Sequence, residues 1–413
     1  MALPDTLAPA LRRARGGSAL LGPAFVAAIA YVDPGNVAAN MSAGAQFGYL
    51  LVWVIVGANV MAGLVQFLSA KLGVVTGATL PETVRTRAST PTRLGYWAQA
   101  ELVAIATDLA EVVGGAIALH LLFGLPLLVG GIVTGLVSMV LLLVQDRYGQ
   151  RPFERVITGL LAIIAIGFVT SMVVAPPDPE AVASGLIPGF DGAESVLLAA
   201  AMLGATVMPH AVYLHSGLAR DRHGLPTPGV RRSGLLRVTK IDVTLAMLVA
   251  GTVNLAMLLA AASTLQGQPD VDTIEGAHAA LQHTLGPAVA LLFAIGLLAS
   301  GLASTSVGAY AGAMIMQGLL RRHIPLLLRR LITLLPALAV LASGVDPTRA
   351  LVISQVVLSF GIPFAMAPLV RFTSDRSLMG DDVNHPATTV MAWLVTTIIV
   401  ALNVVLIYLT IAG

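Results

Sequence analysis

The sequence predicts an all-α integral membrane protein with about eleven spanning helices, two of them broken in mid-span. Three observations carry this. Only 11% of the 413 residues are Asp, Glu, Lys or Arg and 57% are hydrophobic, with a mean hydropathy of +0.88; a soluble domain carries about 25% charged residues. The apolar runs extend over helical lengths, whereas barrel strands alternate every second residue over about 10 residues. Prolines beside isolated polar side chains interrupt two of the runs.

Apolar segments long enough to span fall at 19–45, 47–70, 95–121, 125–144, 156–175, 195–218, 241–263, 286–316, 324–343, 349–370 and 387–411. The basic stretch Arg12, Arg13, Arg15 followed by "AAIA" resembles a cleaved leader. Apolar character resumes directly after the first break and runs to Ala70, so this stretch is read as the start of a span. Charge checks the count independently. With the N-terminus cytoplasmic, inward segments carry Arg12, Arg13 and Arg15, then Lys71, Arg85, Arg87 and Arg93, then Arg147, Arg151 and Arg155. They continue with Arg220, Arg222, Arg231, Arg232, Arg237 and Lys240, then Arg321, Arg322, Arg329 and Arg330, then Arg371 and Arg376. Of 23 basic residues only Arg349 falls outside, as the positive-inside rule requires. The outward segments 176–194 and 264–285 hold acids and no Lys or Arg. Residues 1–413 therefore read as one transmembrane domain in the cytoplasmic (inner) membrane, with the C-terminus outside. With no cysteine, disulfides, thiolate metal sites and Fe–S clusters are excluded. A net charge of +2 gives no reason to expect nucleic acid.

The first break is "AYVDPGNVAAN", residues 30–40, where Asp33 is the only charged residue between Arg15 and Lys71. Proline has no N–H, so Pro34 orphans the carbonyl of Ala30. In hydrocarbon such a carbonyl costs several kcal/mol unless buried against a partner or facing a cavity. The break thus offers the Ala30 carbonyl, the Asp33 carboxylate and the Asn36 amide oxygen, with the negative end of a half-helix dipole. All are acceptors for a cation. In "LGATVMPHAVYLH", residues 203–215, Pro209 likewise frees the carbonyl of Ala205, flanked by Met208 and His210. These breaks fall in the first and sixth spans. Corresponding breaks in two five-helix halves, 19–175 and 195–370 with 387–411 as an extra helix, are the sign of an inverted-repeat transporter with a midplane site.

Oxygen ligands alone suit Na⁺, Ca²⁺ or Mg²⁺. A thioether is soft and suits later transition metals, so Asp33, Asn36, Met208 and two carbonyls read as a site for Mn²⁺ or Fe²⁺. Taken alone, a membrane methionine is usually packing; an uncompensated mid-span aspartate is functional by default. The alternative on the same fold is a sodium-coupled carrier of a small organic solute. That site would offer glycines and amides to an anionic substrate where this one offers a carboxylate. An intramembrane protease is disfavoured, since there is no HExxH motif and no second mid-span aspartate motif.

"DPGN" in the first span, "MPH" in the sixth and "GLLASGLASTSVGAYAGAMIMQGLL" in the eighth resemble the bacterial branch of the Nramp family of proton-coupled Mn²⁺/Fe²⁺ transporters. "ATDLAE" (106–111), "LPE" (80–82) and "SQVVLSFGIPFAMAPL" (354–369) extend the resemblance over nearly the whole chain. It implies a LeuT-type fold and importer activity by alternating access, with no enzymatic step and no cofactor, the metal being cargo. It implies Asp33, Asn36, Met208 and the Ala30 and Ala205 carbonyls as ligands, with Gln355 contributing in some conformations. Ala313 departs from the pattern, where a polar residue is expected, and puts in question an outer-vestibule contact there.

Glu101, Asp108 and Glu111 share one face of the third span, which carries no Lys or Arg of its own. Buried acids need a counter-charge or a proton. Arg329 and Arg330 are the candidate counter-charges, or snorkel to the headgroups. The resemblance implies an inward proton path through Asp108/Glu111 with Arg329/Arg330, joined by Asp33 and His210. His210 is either a titrating group or a neutral brace for the broken helix; His215, His120, His278 and His283 are read as structural or solvated. Asn59 and Asn254 read as interhelical hydrogen bonding or as a gate. Gly114, Gly115, Gly130 and Gly131 read as close helix contacts. The chain is expected to work as a monomer in the bilayer.

Overall fold

The computed structural model describes residues 22–148, 150–224, 230–268, 271, 273–321 and 325–412. The basic stretch Arg12 to Arg15 and Arg322 lie outside the described residues. Pro23–Ile29 (α1) passes through a 3-10 turn, Ala30–Val32, into Pro34–Phe47 (α2). Val52–Thr76 (α3), Leu80–Arg87 (α4), Thr90–Phe123 (α5), Leu127–Tyr148 (α6) and Gln150–Val174 (α7) follow. Pro179–Ser184 (α8) precedes Gly192–Thr206 (α9) and Pro209–His223 (α10), the halves of the second broken span. Val230–Thr264 (α11), Ile274–Leu285 (α12), Pro287–Leu320 (α13), Leu326–Ser343 (α14), Pro347–Thr373 (α15), Arg376–Met379 (α16) and Pro386–Ala412 (α17) complete the described chain. Among the described residues there is no strand.

Every apolar segment read from the sequence has its helix or helix pair. The connections hold more structure than hydropathy foresees, because short polar helices are set by caps. For α4 this is a full capping box: Thr79 Oγ1 accepts from Glu82 N (3.2 Å) and the Glu82 carboxylate accepts from Thr79 N (2.8 Å). Asp178, Thr273 and Asp375 cap α8, α12 and α16 through their side chains.

Proline breaks a span only where the chain lets it. In α15, Pro363 and Pro368 sit inside a continuous helix. Tyr213 OH donates to Phe364 O (3.4 Å), the carbonyl that Pro368 leaves without its helical donor. Pro34 and Pro209 instead stand at the first position of a new helix after an extended residue, Asp33 (φ −70, ψ 167) and Met208 (φ −61, ψ 121).

The broken spans lie inside the bundle. α2 packs on α11, α9 on α15 and α10 on α3, while α5 lies against α13, α14 and α15. Close approach needs small residues: a Cβ at Gly114 would sit 2.0 Å from Pro34 Cβ, and one at Gly44 2.4 Å from the Leu258 carbonyl oxygen. Large apolar side chains left outside, among them Leu136, Ile166, Leu248, Leu335 and Val404, face outward along α6, α7, α11, α14 and α17.

Candidate functional site

The first break is built by Asp33. Its Oδ1 accepts from the backbone N of Asn36 (2.8 Å), capping α2, while Pro34 fills the first helical position. The carbonyls unwound by the turn are met from other helices: Asn254 Nδ2 donates to Tyr31 O (2.7 Å) and Ser300 Oγ to Val32 O (2.6 Å). The second break faces it. Asn36 Nδ2 donates both to Asp33 Oδ1 (2.9 Å) and to the carbonyl of Ala205 (2.9 Å), and Thr206 Oγ1 donates to Asn36 Oδ1 (3.4 Å). From α15, Gln355 Nε2 donates to Asp33 Oδ2 (3.2 Å) and Ser354 Oγ (3.3 Å); Gln355 Oε1 is buried without a partner.

Asp33, Asn36, Met208 and Gln355 are all 0% exposed. Among the described residues no Lys, Arg or His forms an ion pair with Asp33. An ionised carboxylate in that setting requires a cation. The Asn36 NH₂ bridges two acceptors, a carboxylate and an orphaned carbonyl. Turning that amide over would put its oxygen in the same place, 2.9 Å from both, so that three oxygens converge. Gly35 leaves room for Gln355, since a Cβ there would sit 1.8 Å from Gln355 Nε2. Met208 lies fully buried at the second break, immediately before Pro209. No three His, Cys, Asp or Glu side chains converge as a metal cluster among the described residues; a cation here would be held by one acid and neutral donors.

A second polar cluster lies on α5. Arg330, fully buried, donates from NH1 to Asp108 Oδ1 (2.8 Å), from Nε to Ser138 Oγ (2.9 Å) and from NH2 to Thr305 Oγ1. Arg329 forms a two-pronged pair with Glu101, NH2–Oε1 2.9 Å and NH1–Oε2 3.2 Å. The four-residue grouping expected from the sequence is therefore redistributed. Arg329 and Arg330 are neighbours on a helix and diverge by 100°, so each meets a different turn of α5. Among the described residues Glu111 has no ion-pair partner; its Oε2 is buried without a hydrogen bond, and it lies in electrostatic range of Asp108, Arg330 and Asp33.

His210 Nδ1 is 3.3 Å from Thr107 Oγ1, whose own proton goes to Val103 O (2.9 Å). Nδ1 therefore donates, leaving Nε2 as a buried acceptor without a partner. His215 Nδ1 meets Gln66 Oε1 (2.6 Å), and Gln66 Nε2 donates to Tyr31 OH, a buried chain of polar groups that no local pattern connects. Asn254 reaches the first break and accepts from Asn40 Nδ2 (3.2 Å); Asn36 and Asn40, four apart, share a face of α2. Asn59 does not join them: it is half-buried against Gly251 in a side cavity with Lys240 and Thr244. Ala313 falls in the half of α13 nearer Arg321, next to Gly312, which packs on Arg329.

The sequence matches the profile of the family described as Natural resistance-associated macrophage protein-like (Nramp) across residues 24–409. It is 68% identical over 394 residues to the divalent metal cation transporter MntH of Mycobacterium tuberculosis (strain CDC 1551 / Oshkosh), covering 95% of this chain and 92% of that protein. Identity to the protein of the same name from Bacillus subtilis (strain 168) is 49% over 408 residues, covering 98% and 96%. The crystal structure of the Eremococcus coleocola manganese transporter in complex with an aromatic bis-isothiourea substituted compound matches with a TM-score of 0.82 at 31% identity, covering 94% of this chain and 85% of that one. Mhp1, a nucleobase-cation-symport-1 family transporter, matches at a TM-score of 0.59 and 16% identity over 94% and 92%, a likeness of fold alone. The architecture is the LeuT type. By profile, identity and architecture together, the chain belongs to the Nramp family.

Proposed function

We propose that this chain carries divalent transition metal ions, Mn²⁺ and Fe²⁺, into the cell together with protons by alternating access. Divalent metal transport has the support of relatives that share almost the full length of the chain and carry that activity in their names. The observation that carries the reading is Asp33: a fully buried carboxylate with no cationic partner among the described residues, held between two broken helices beside an orphaned amide oxygen. An anionic organic solute would meet a like charge there. Met208 supplies the soft donor that favours transition metals over Ca²⁺ and Mg²⁺.

Charge accounting supports proton coupling. One guanidinium, Arg330, faces two buried acids, Asp108 and Glu111. The second acid stays neutral only by holding a proton, and entry of a divalent cation at Asp33 changes the field at Glu111. Glu101 with Arg329 extends the polar row toward the arginine-rich face, which in this reading is cytoplasmic. The halves 19–175 and 195–370 act as inverted repeats whose two breaks meet at the site. The test is uptake into proteoliposomes with a lumenal pH dye. Asp33→Asn, which keeps the cap on α2, abolishes Mn²⁺ uptake without lowering thermal stability. Uptake that persists in the variant ends the metal-site reading; wild-type Mn²⁺ uptake without lumenal acidification ends the proton-coupled one.

A further inference from the structure

A cavity of about 590 Å³ opens on the arginine-rich face between the α4–α5 corner, α15 and α17, within the roughly 300–1,000 Å³ of ligand sites. Arg87, Ser89, Thr92, Tyr96, Arg371 and Trp393 form the part that matters. Arg371, in the last turn of α15, has no carboxylate partner among the described residues. Arg87 meets Asp375 at 3.4 Å, but the two side chains are 45% and 34% exposed, a setting in which an ion pair is weak and readily exchanged. Counting Asp375, the cavity carries a net positive charge. Ser89 caps α5, and its Oγ lies 2.8 Å from Thr92 Oγ1, so two hydroxyls stand at the positive end of a 34-residue helix.

The opposite wall is amphipathic. Trp393 is 42% exposed, and its neighbours on α17, Val390 and Leu394, are 66% and 51% exposed, so the wall continues into lipid-facing surface. Tyr96 adds a second aromatic ring, stacked edge-on against Phe364 (6.3 Å) at the stretch of α15 that carries Pro368. Tryptophan and tyrosine placed between charged and apolar surface mark the headgroup level of a bilayer. A soluble anion would use the arginines and leave that wall idle.

We propose that this cavity binds an anionic phospholipid, its phosphate on Arg371 and Arg87 and its glycerol backbone against Trp393. The site is separate from the metal site and does not depend on the transport reading. The test is native mass spectrometry of the full chain extracted from nanodiscs of equal phosphatidylglycerol and phosphatidylcholine. Wild type retains phosphatidylglycerol preferentially. Arg371→Gln and Arg87→Gln each lower that preference about fivefold, the worth of one basic residue near an anionic surface. Arg371→Lys keeps most of it, and Arg376→Gln, outside the cavity, leaves it unchanged. The proposal is overturned if wild type shows no preference, if neither cavity variant changes it, or if Arg376→Gln changes it equally. Displacement of the lipid by inorganic phosphate alone overturns the assignment to lipid in favour of a soluble anion.

Discussion

Gly35 and Gln355 provide a test of the site that leaves the fold untouched. A Cβ on residue 35 would lie 1.8 Å from Gln355 Nε2, 2.3 Å from its Cδ and 2.7 Å from its Cγ. Ordinary contact begins near 3.4 Å, so in Gly35→Ala the amide must retreat by roughly 1.5 Å, which ends its 3.2 Å bond to Asp33. The helix itself gains, because replacing glycine by alanine inside a helix is worth about 0.5–1 kcal/mol. An interaction between a neutral amide and a charged partner is worth about 1.5–3 kcal/mol. In the proposed site that charged partner is the ion, met by the amide oxygen, and an amide displaced from Asp33 is displaced from the ion as well, so Mn²⁺ binding weakens about ten- to a hundredfold. Gln355→Ala has a similar effect by removing the amide outright. The informative variant is the double. With alanine at 355 the space beside residue 35 is empty, so Gly35→Ala costs nothing further and the double variant binds like either single one. Calorimetric titration of Mn²⁺ into purified protein measures this, with a thermal melt as the folding control. Multiplying losses, or a Gly35→Ala protein that binds Mn²⁺ as wild type does, would refute the placement of Gln355 at the metal.

Met208→Ala removes the soft donor. Ca²⁺ then inhibits Mn²⁺ uptake into proteoliposomes at concentrations that leave wild type unaffected, and equal inhibition of both proteins counts against a thioether ligand. Arg330→Met strands Asp108 as a buried charge, at a cost of about 3–5 kcal/mol; adding Asp108→Asn recovers most of it, read as the melting temperature in detergent. Outside the membrane, burial alone would push the Glu82 carboxyl up, but the Thr79 N–H and the Arg220 guanidinium outweigh it and hold it below the ordinary glutamate value. A lowered folded value means that the stabilisation is complete above the ordinary glutamate range and is lost as pH falls through the folded value. Hydrogen-exchange protection factors in 80–87, corrected for the intrinsic rate at each pH, should therefore fall in acid, and Glu82→Gln should remove that pH dependence.

How much of this was legible in the sequence follows from how local each cause is. The breaks at Pro34 and Pro209 were readable because a missing N–H acts four residues away on the same chain, and Asp33 stood out against more than fifty residues without another charge. The partner of Arg329 was not readable. Adjacent residues on α14 point to different turns of α5, and which turn is set by helix packing that no local pattern encodes. The same holds for Tyr31, Gln66 and His215, three polar groups on three segments whose meeting depends on how α3 lies against α10. Asn59 and Asn254 looked alike in sequence and differ only because one face of each helix turns inward. Caps such as Thr79 with Glu82 were legible in principle, but hydropathy averages over a window longer than α4.

One oxygen of Asp33 both closes the first turn of α2 and stands where an ion would be held. In the proposed reading, a cation held there would share that oxygen with the backbone N–H of Asn36, weakening the start of the helix by up to about the 1 kcal/mol a cap contributes. Cargo and backbone would then meet at a single atom. On that reading the state of the site is registered at the helix start itself, without relay through any distant part of the bundle.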